Sequence, residues 1–418
     1  MTSIAAISAD PSYLTALASL GQSGLQPSKT APEGSIAVLP FANMSNDAQQ
    51  EHFVDGLAED IITDLSNTPG MFVISRNSSF AYKGKVTDVR HIAADLGVRY
   101  VLEGSARKSG DRLRITAQLI DAGDGGKHIW AERFDQDVAD IFAIQDAVTA
   151  KVVQAVRGAL DQKLPQGRYR PSNLEAYQYC VRSRNLWALG KTEAREAEIL
   201  LEKAIALDPN YAEAYWRLAN VKTSKWMQYG DVRTSNRAEA LALSEKAIAL
   251  DPFDSGGYSM LGFTVAYEGD LKKALEHFEM ATQLNPNDSY SLFLNSDVLV
   301  LAGHPQRALQ TIIEAIRLNP RAPGHYYWIL GQAQIACGQF AEAAVTLSRS
   351  ETYRSLSRKI LAIALHLCGR ETEAKFEADM CKVIWPEWSC EEWASTRPFQ
   401  KQEDRDFWLN GFKAVGFK

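Results

Sequence analysis

Three carboxylates, Asp55, Glu59 and Asp60, fall within one short stretch that reads as helix. Carboxylates so spaced could hold a divalent cation or share a proton. No further ligand follows at metal-site spacing, so a solvated face near a helix start is the simpler account. Gly123-Asp124-Gly125-Gly126-Lys127-His128 has the glycines and the lysine of a phosphate loop. It lacks G-x-x-x-x-G-K-[ST] and lies between two strand-like runs, which makes it a hairpin turn. The 7 histidines, His52, His91, His128, His277, His304, His325 and His366, form no H-x-x-x-H or H-E-x-x-H pair, and surface or capping roles suffice for them. No serine or cysteine sits in a G-x-S-x-G setting. No catalytic residue, metal ligand or cofactor site is therefore assigned, and the chain reads as non-enzymatic.

Composition narrows the class. The 418 residues carry a formal charge of -6, with 46% hydrophobic and 23% charged residues, a globular mixture large enough for two cores. No basic field exists to hold nucleic acid by counterion release. The cations Arg107, Lys108, Arg112 and Arg114 gather on one hairpin, but beside Asp111 and Asp121 they read as a charged strand edge that blocks pairing. The 5 cysteines, Cys180, Cys337, Cys368, Cys381 and Cys390, have no C-x-x-C spacing and read as small core residues in a reducing compartment. No window approaches the roughly 20 apolar residues of a membrane span, and no basic n-region precedes the first apolar run, so a cytoplasmic location is expected.

The elements that position these residues fall into two sets. Residues 1–33 read as a flexible leader. Then Ile36-Ala37-Val38-Leu39-Pro40-Phe41 reads as a buried strand, and Gln49 to Asn67 as a helix with Phe53, Leu57, Ile61 and Leu65 on one face. Met71 to Ser75 is a second strand. Asp88 can cap a helix that Gly97 stops. The runs Tyr100 to Arg107, Leu113 to Asp121 and His128 to Phe134 are strands joined by hairpin chemistry, and Val138 to Leu160 is a closing helix. The order βαβαβββα is an α/β sandwich domain over 34–160, with a linker at 161–173.

Within that domain, Ile36 to Phe41, Phe53-Val54-Asp55-Gly56-Leu57, Val101-Leu102-Glu103-Gly104-Ser105 and Ile129-Trp130-Ala131-Glu132-Arg133-Phe134-Asp135 together resemble the TolB-type amino-terminal domain across about 120 residues. The resemblance implies a bacterial regulatory protein in which such a domain sits between tetratricopeptide repeats and an output unit, either a class III adenylate cyclase or a winged-helix DNA-binding domain. A cyclase or winged helix needs roughly 100 to 200 residues. The 33 residues before the domain fall short of that, so the output half is expected to be missing.

Periodicity governs the remainder. Leu207-Asp208-Pro209, Leu250-Asp251-Pro252, Leu284-Asn285-Pro286 and Leu318-Asn319-Pro320 close similar segments, and their prolines step by 43, 34 and 34. A step of 34 is the tetratricopeptide period. Each proline ends a second helix, and Gly262, Ala274 and Ala281, with Leu261 and Phe278 between, mark where two helices cross closely. The reading is an all-α solenoid over 174–388 with about six repeats, the extra residues of the long step lying in a polar loop from Trp226 to Arg237. Residues 389–418 are a tail whose last helix covers the open end.

In this register the first helices point Trp216, Asn220, Phe263, Tyr290, Phe293, Asp297, Trp328 and Gln332 toward the concave side. A row of rings suits an extended or helical peptide, which makes a protein or peptide the expected partner. The alternative is that the rings pack between neighbouring helices. A clamp for a terminal carboxylate would need inward Lys, Arg and Asn, and the row is aromatic and amide instead.

Overall fold

A computed structural model describes residues 31–45, 47, 50–157, 170–184, 186–229, 234–349, 352 and 357–418. Most of the expected leader and linker lies outside the described residues. The first half holds β1 (Ser35–Val38), β2 (Ala42–Asn43), α1 (Glu51–Ser66), β3 (Phe72–Val73), α2 (Arg76–Phe80), α3 (Val89–Leu96), β4 (Tyr100–Ser109), β5 (Arg112–Asp121), β6 (Lys127–Asp137) and α4 (Ile141–Arg157). Strand order is β3-β1-β4-β5-β6, with β2 paired to β4. β1 runs parallel to β3 and β4, while β4, β5 and β6 are antiparallel, so the sheet is mixed.

The period of two in β1 sends Ile36 and Val38 into a core with α1 and α4, and Ala37 into a smaller one with α3 on the opposite face. The Asp88 carboxylate accepts from the Arg90 N–H to start α3, and Gly97 ends it with φ 68°. The short elements β2 and α2 carry no period in the sequence and were not anticipated.

The second half is a stack of antiparallel helix pairs: α5 (Leu174–Ser183) with α6 (Lys191–Leu207), α7 (Ala212–Tyr229) with α8 (Thr234–Leu250), and α9 (Ser255–Tyr267) with α10 (Leu271–Leu284). Then follow α11 (Ser289–Leu301) with α12 (Pro305–Leu318), α13 (Gly324–Ala336) with α14 (Phe340–Leu347), and α15 (Arg358–Leu367) with α16 (Glu371–Ile384). A Cβ on Gly262 would lie 3.1 Å from both the Ala274 carbonyl oxygen and the Phe278 ring, which is why that crossing needs a small residue. First helices of successive pairs pack on one another and so line the inner side of the stack, as in tetratricopeptide solenoids. One expectation fails here. The stretch from Trp226 to Arg237 is largely helical, since α7 continues to Tyr229 and α8 begins at Thr234. The inserted residues lengthen both helices, and helix propagation costs less than an ordered loop.

Two segments of the chain lie on the inner side. The sheet module docks on the turns between repeats. Asn287 donates through Nδ2 to the carbonyls of Ser66 (2.9 Å) and Met71 (3.2 Å) and accepts through Oδ1 from the Val73 N–H (3.3 Å). One turn further on, Ser75 N–H donates to the Leu318 carbonyl (2.8 Å), Ser78 Oγ to Asn319 (2.6 Å), and Arg321 pairs with Asp95 (2.6 Å). At the other end of the stack, α17 (Cys390–Ser395) and α18 (Gln402–Ala414) close on α15 through Trp408 and Phe412. Between them residues 397–400 run back across the repeats, with Arg397 on Tyr267 and the Gln400 N–H donating to the Leu301 carbonyl (2.9 Å). The tail thus covers part of the inner face as well as the end.

Candidate functional site

The three carboxylates of α1 are not a solvated face. Asp55 pairs with Lys83 (2.6 Å), Glu59 with Arg76 (2.8 Å), and the fully buried Asp60 with Arg184 of the first repeat (2.9 Å). Arg184 also meets Glu213 in the first turn of α7 (2.7 Å), and Glu213 meets Arg217 (2.6 Å). Tyr177 donates its hydroxyl to Asp60 (2.6 Å), and Gln145 of α4 donates to the same oxygen (2.9 Å). Burial works against the Arg184 guanidinium, but Glu213 and Asp60 outweigh it and hold it protonated well above its ordinary value. A buried carboxylate needs a cation, and that cation comes from the residue that follows α5, 124 residues along the chain. Such an array fixes the module on the first two repeats.

Beside this junction a cleft of about 390 Å³ opens between α1 and α2 on one wall and the starts of α7, α9, α11 and α13 on the other. It brings together three of the eight residues expected to face inward, Trp216, Asn220 and Tyr290. The Trp216 indole donates to Asp254 (2.9 Å), with the Arg217 guanidinium over its ring at 4.4 Å. Asn220, 5% exposed, accepts from the Tyr290 hydroxyl (3.1 Å). Tyr290 packs on Trp187 (5.4 Å) and on Phe293 (5.8 Å), and Phe293 continues onto Tyr326 (4.7 Å) and His325 (4.9 Å).

The other residues stand elsewhere. Phe263 is buried against Tyr267 in the core between repeats. Asp297 accepts from the Tyr267 hydroxyl (3.0 Å) and, with buried Gln332, faces Arg397 and Phe399 of the tail. Trp328 packs with the terminal core, 5.9 Å from the Lys359 ammonium. Phe293 lies behind the cleft wall. The rings therefore form a packed ladder with one open side, and no ring of the row is fully exposed.

Sequence reasoning missed Trp187, Asn285, Asn287 and His325. Trp187 lies in the turn Leu186–Ala188 between α5 and α6, yet reaches the fourth repeat. An apolar Leu-Trp-Ala-Leu run in a turn is the signal that could have found it. Burial lowers the His325 pKa to about 4, so the surface role expected for the histidines does not hold there. The Asp288 carboxylate caps α11, and burial raises its pKa despite the N–H bonds from Ser291 and Tyr290. Among the described residues no group of three or more His, Cys, Asp or Glu could hold a metal ion, and no helix is long and apolar enough to cross a membrane.

Comparison with known proteins gives three results. A family model for the second domain of HilA/YgeH-like transcriptional regulators matches residues 32–151, the stretch that carries the TolB-type resemblance. Over 258 residues the chain is 41% identical to a protein of Rhizobium meliloti (strain 1021) named putative adenylate cyclase 3, a match that takes in 60% of this chain and 43% of that protein. The chain thus spans less than half of that relative. Solved structures similar to the repeats include a thermophilic TPR protein of Thermus thermophilus (20% identical, 48% of this chain and 98% of that one, TM-score 0.36) and the type IV pilus biogenesis factor PilW (14%, 52% and 96%, TM-score 0.40).

Proposed function

We propose that this chain is a non-enzymatic, cytoplasmic interaction protein that takes a partner protein at the inner face of its repeats, with a TolB-like sheet module framing the site. One observation carries the reading. The module and the tail each lie on the inner face, and between module and repeats remains a cleft lined by Trp216, Asn220 and Tyr290. A concave, mostly apolar site with a few convergent polar groups is the usual form of a binding site. Affinity capture from a bacterial lysate tests it, with the full chain and Asn220→Ser as baits. A partner retained by the first and lost by the second, at equal helical content, is the expected result. Capture that is indifferent to the substitution would move the site elsewhere. Cyclic nucleotide formed from ATP and Mg²⁺ in proportion to pure protein would overturn the non-enzymatic part.

A second reading is favoured by the 41% identity to a longer protein named putative adenylate cyclase 3 and by the match to the second domain of a regulator family. In it the chain is the regulatory half of a cyclase or transcription-regulator system. Mixing it with the part of the Rhizobium meliloti relative outside the match tests this. A change in cyclic nucleotide output supports it, and an unchanged output counts against it.

A further inference from the structure

The module engages the turns before α11 and α13 and reaches the first turn of α7 through Arg184, and between these lies the turn before α9. In that turn Phe253 stands where the repeat places Asn287 and Arg321, and it is 53% exposed. The cleft lies over this turn, against Asp254, Ser255 and Gly256. Its charges are spoken for. Glu59 pairs with Arg76, Arg217 pairs with Glu213, Asp254 accepts from the Trp216 indole and the Gly256 N–H, and Asp288 accepts from Tyr290 and Ser291 N–H. The cations Arg76 and Arg217 are already paired, so an acidic ligand finds no free counter-charge there, while the Asp254 and Asp288 carboxylates are each engaged by two N–H donors.

What the lining offers instead is uncharged. Asn220 uses its oxygen for Tyr290, while its Nδ2 donor makes no hydrogen bond among the described residues although the residue is 5% exposed. An amide donor that lines the cleft without a partner can take an acceptor from a ligand. Trp187 and Tyr290 supply ring surface, and Leu189, 71% exposed, adds an apolar rim. The neighbouring turn shows how an extended chain is held: Asn287 grips the backbone of Ser66, Met71 and Val73 from both sides of its amide.

We propose that this cleft seats an uncharged peptide segment anchored by one aromatic side chain, its ring against Trp187 and Tyr290, one backbone carbonyl accepting from Asn220 Nδ2, and an apolar neighbour on Leu189 and Phe253. The assignment rests on the interaction reading above and adds the chemistry of the partner. Selection of a phage-displayed random heptapeptide library on the full chain tests it, followed by fluorescence anisotropy of the enriched peptides. The expected enrichment is one aromatic among uncharged residues. Binding weakens about tenfold or more with Asn220→Ser and with Trp187→Ala, and Trp187→Phe restores most of it. Thermal melting of each variant shows whether the fold is intact, and Asn220→Ser decides the question where Trp187→Ala melts early. Enriched charged motifs, or peptides indifferent to all three substitutions, would overturn the cleft assignment and leave the interaction reading standing. No enrichment, together with no captured partner, would overturn both.

Discussion

A Cβ built on Gly256 would lie 2.4 Å from Cε2 of Trp216, closer than any carbon contact tolerates. The start of α9 and the indole of α7 are therefore fitted to each other, with Asp254 holding the indole N–H from the same turn. Gly256→Ala is expected to shift Trp216 and lower stability by about 1 to 3 kcal/mol, although alanine is the better helix former. The urea midpoint measures this. A rise in midpoint would mean that the ring has room to move.

Arg184 joins the two halves of the molecule. Arg184→Met leaves Asp60 and Glu213 buried without a cation, and the expected loss is about 3 to 5 kcal/mol. Chemical denaturation followed by far-UV circular dichroism checks it. A loss under about 1 kcal/mol would mean that water reaches the carboxylates and that the junction is looser than described.

His325 makes stability depend on acidity. Burial lowers its pKa in the folded chain from 6.5 to about 4, so between those values the unfolded chain binds a proton that the folded chain does not. Stability is complete above 6.5 and falls as pH drops through this window. The variant His325→Phe keeps the stack with Phe293 and Tyr326 and lacks the proton. Melting temperatures of the two proteins should diverge as the buffer is taken from pH 7 to pH 4.5. Parallel curves would contradict the assignment.

Lys359 is 4% exposed among the rings of Trp328, Trp385 and Trp388, at 5.9, 5.3 and 4.8 Å. Burial lowers its pKa from 10.5 to about 8. Between those values the unfolded chain holds the extra proton, so stability rises with pH across the window. Lys359→Met should remove that slope and raise the melting temperature at pH 7. A lower melting temperature with the slope intact would assign the lysine a net stabilising role.

What the sequence made legible was local. Asp88 and Gly97 bound α3 as their chemistry requires, and Gly262, Ala274 and Phe278 mark a helix crossing, because caps and close contacts within a repeat depend on residues a few turns apart. The eight residues expected to face inward do not stand as a single row. Their division was hidden, since Asp297 and Gln332 meet a tail that returns across the stack, while Trp216, Asn220 and Tyr290 meet the module. Asp60 looked like a surface carboxylate because its partner Arg184 is 124 residues away. Docking of one unit on another leaves no period in either. Asn287 shows the difficulty plainly: it is one more polar residue in a repeat turn until the backbone from Ser66 to Val73 is laid against it.

Hydrogen–deuterium exchange of the chain, alone and with a captured partner protein, tests the central claim most directly. The account predicts slowed exchange in the turn Leu186–Ala188 and in the first turns of α9 and α11, where the amides border the cleft. Protection confined to the outer helices or to the free edge of β6, with those segments unchanged, would contradict it.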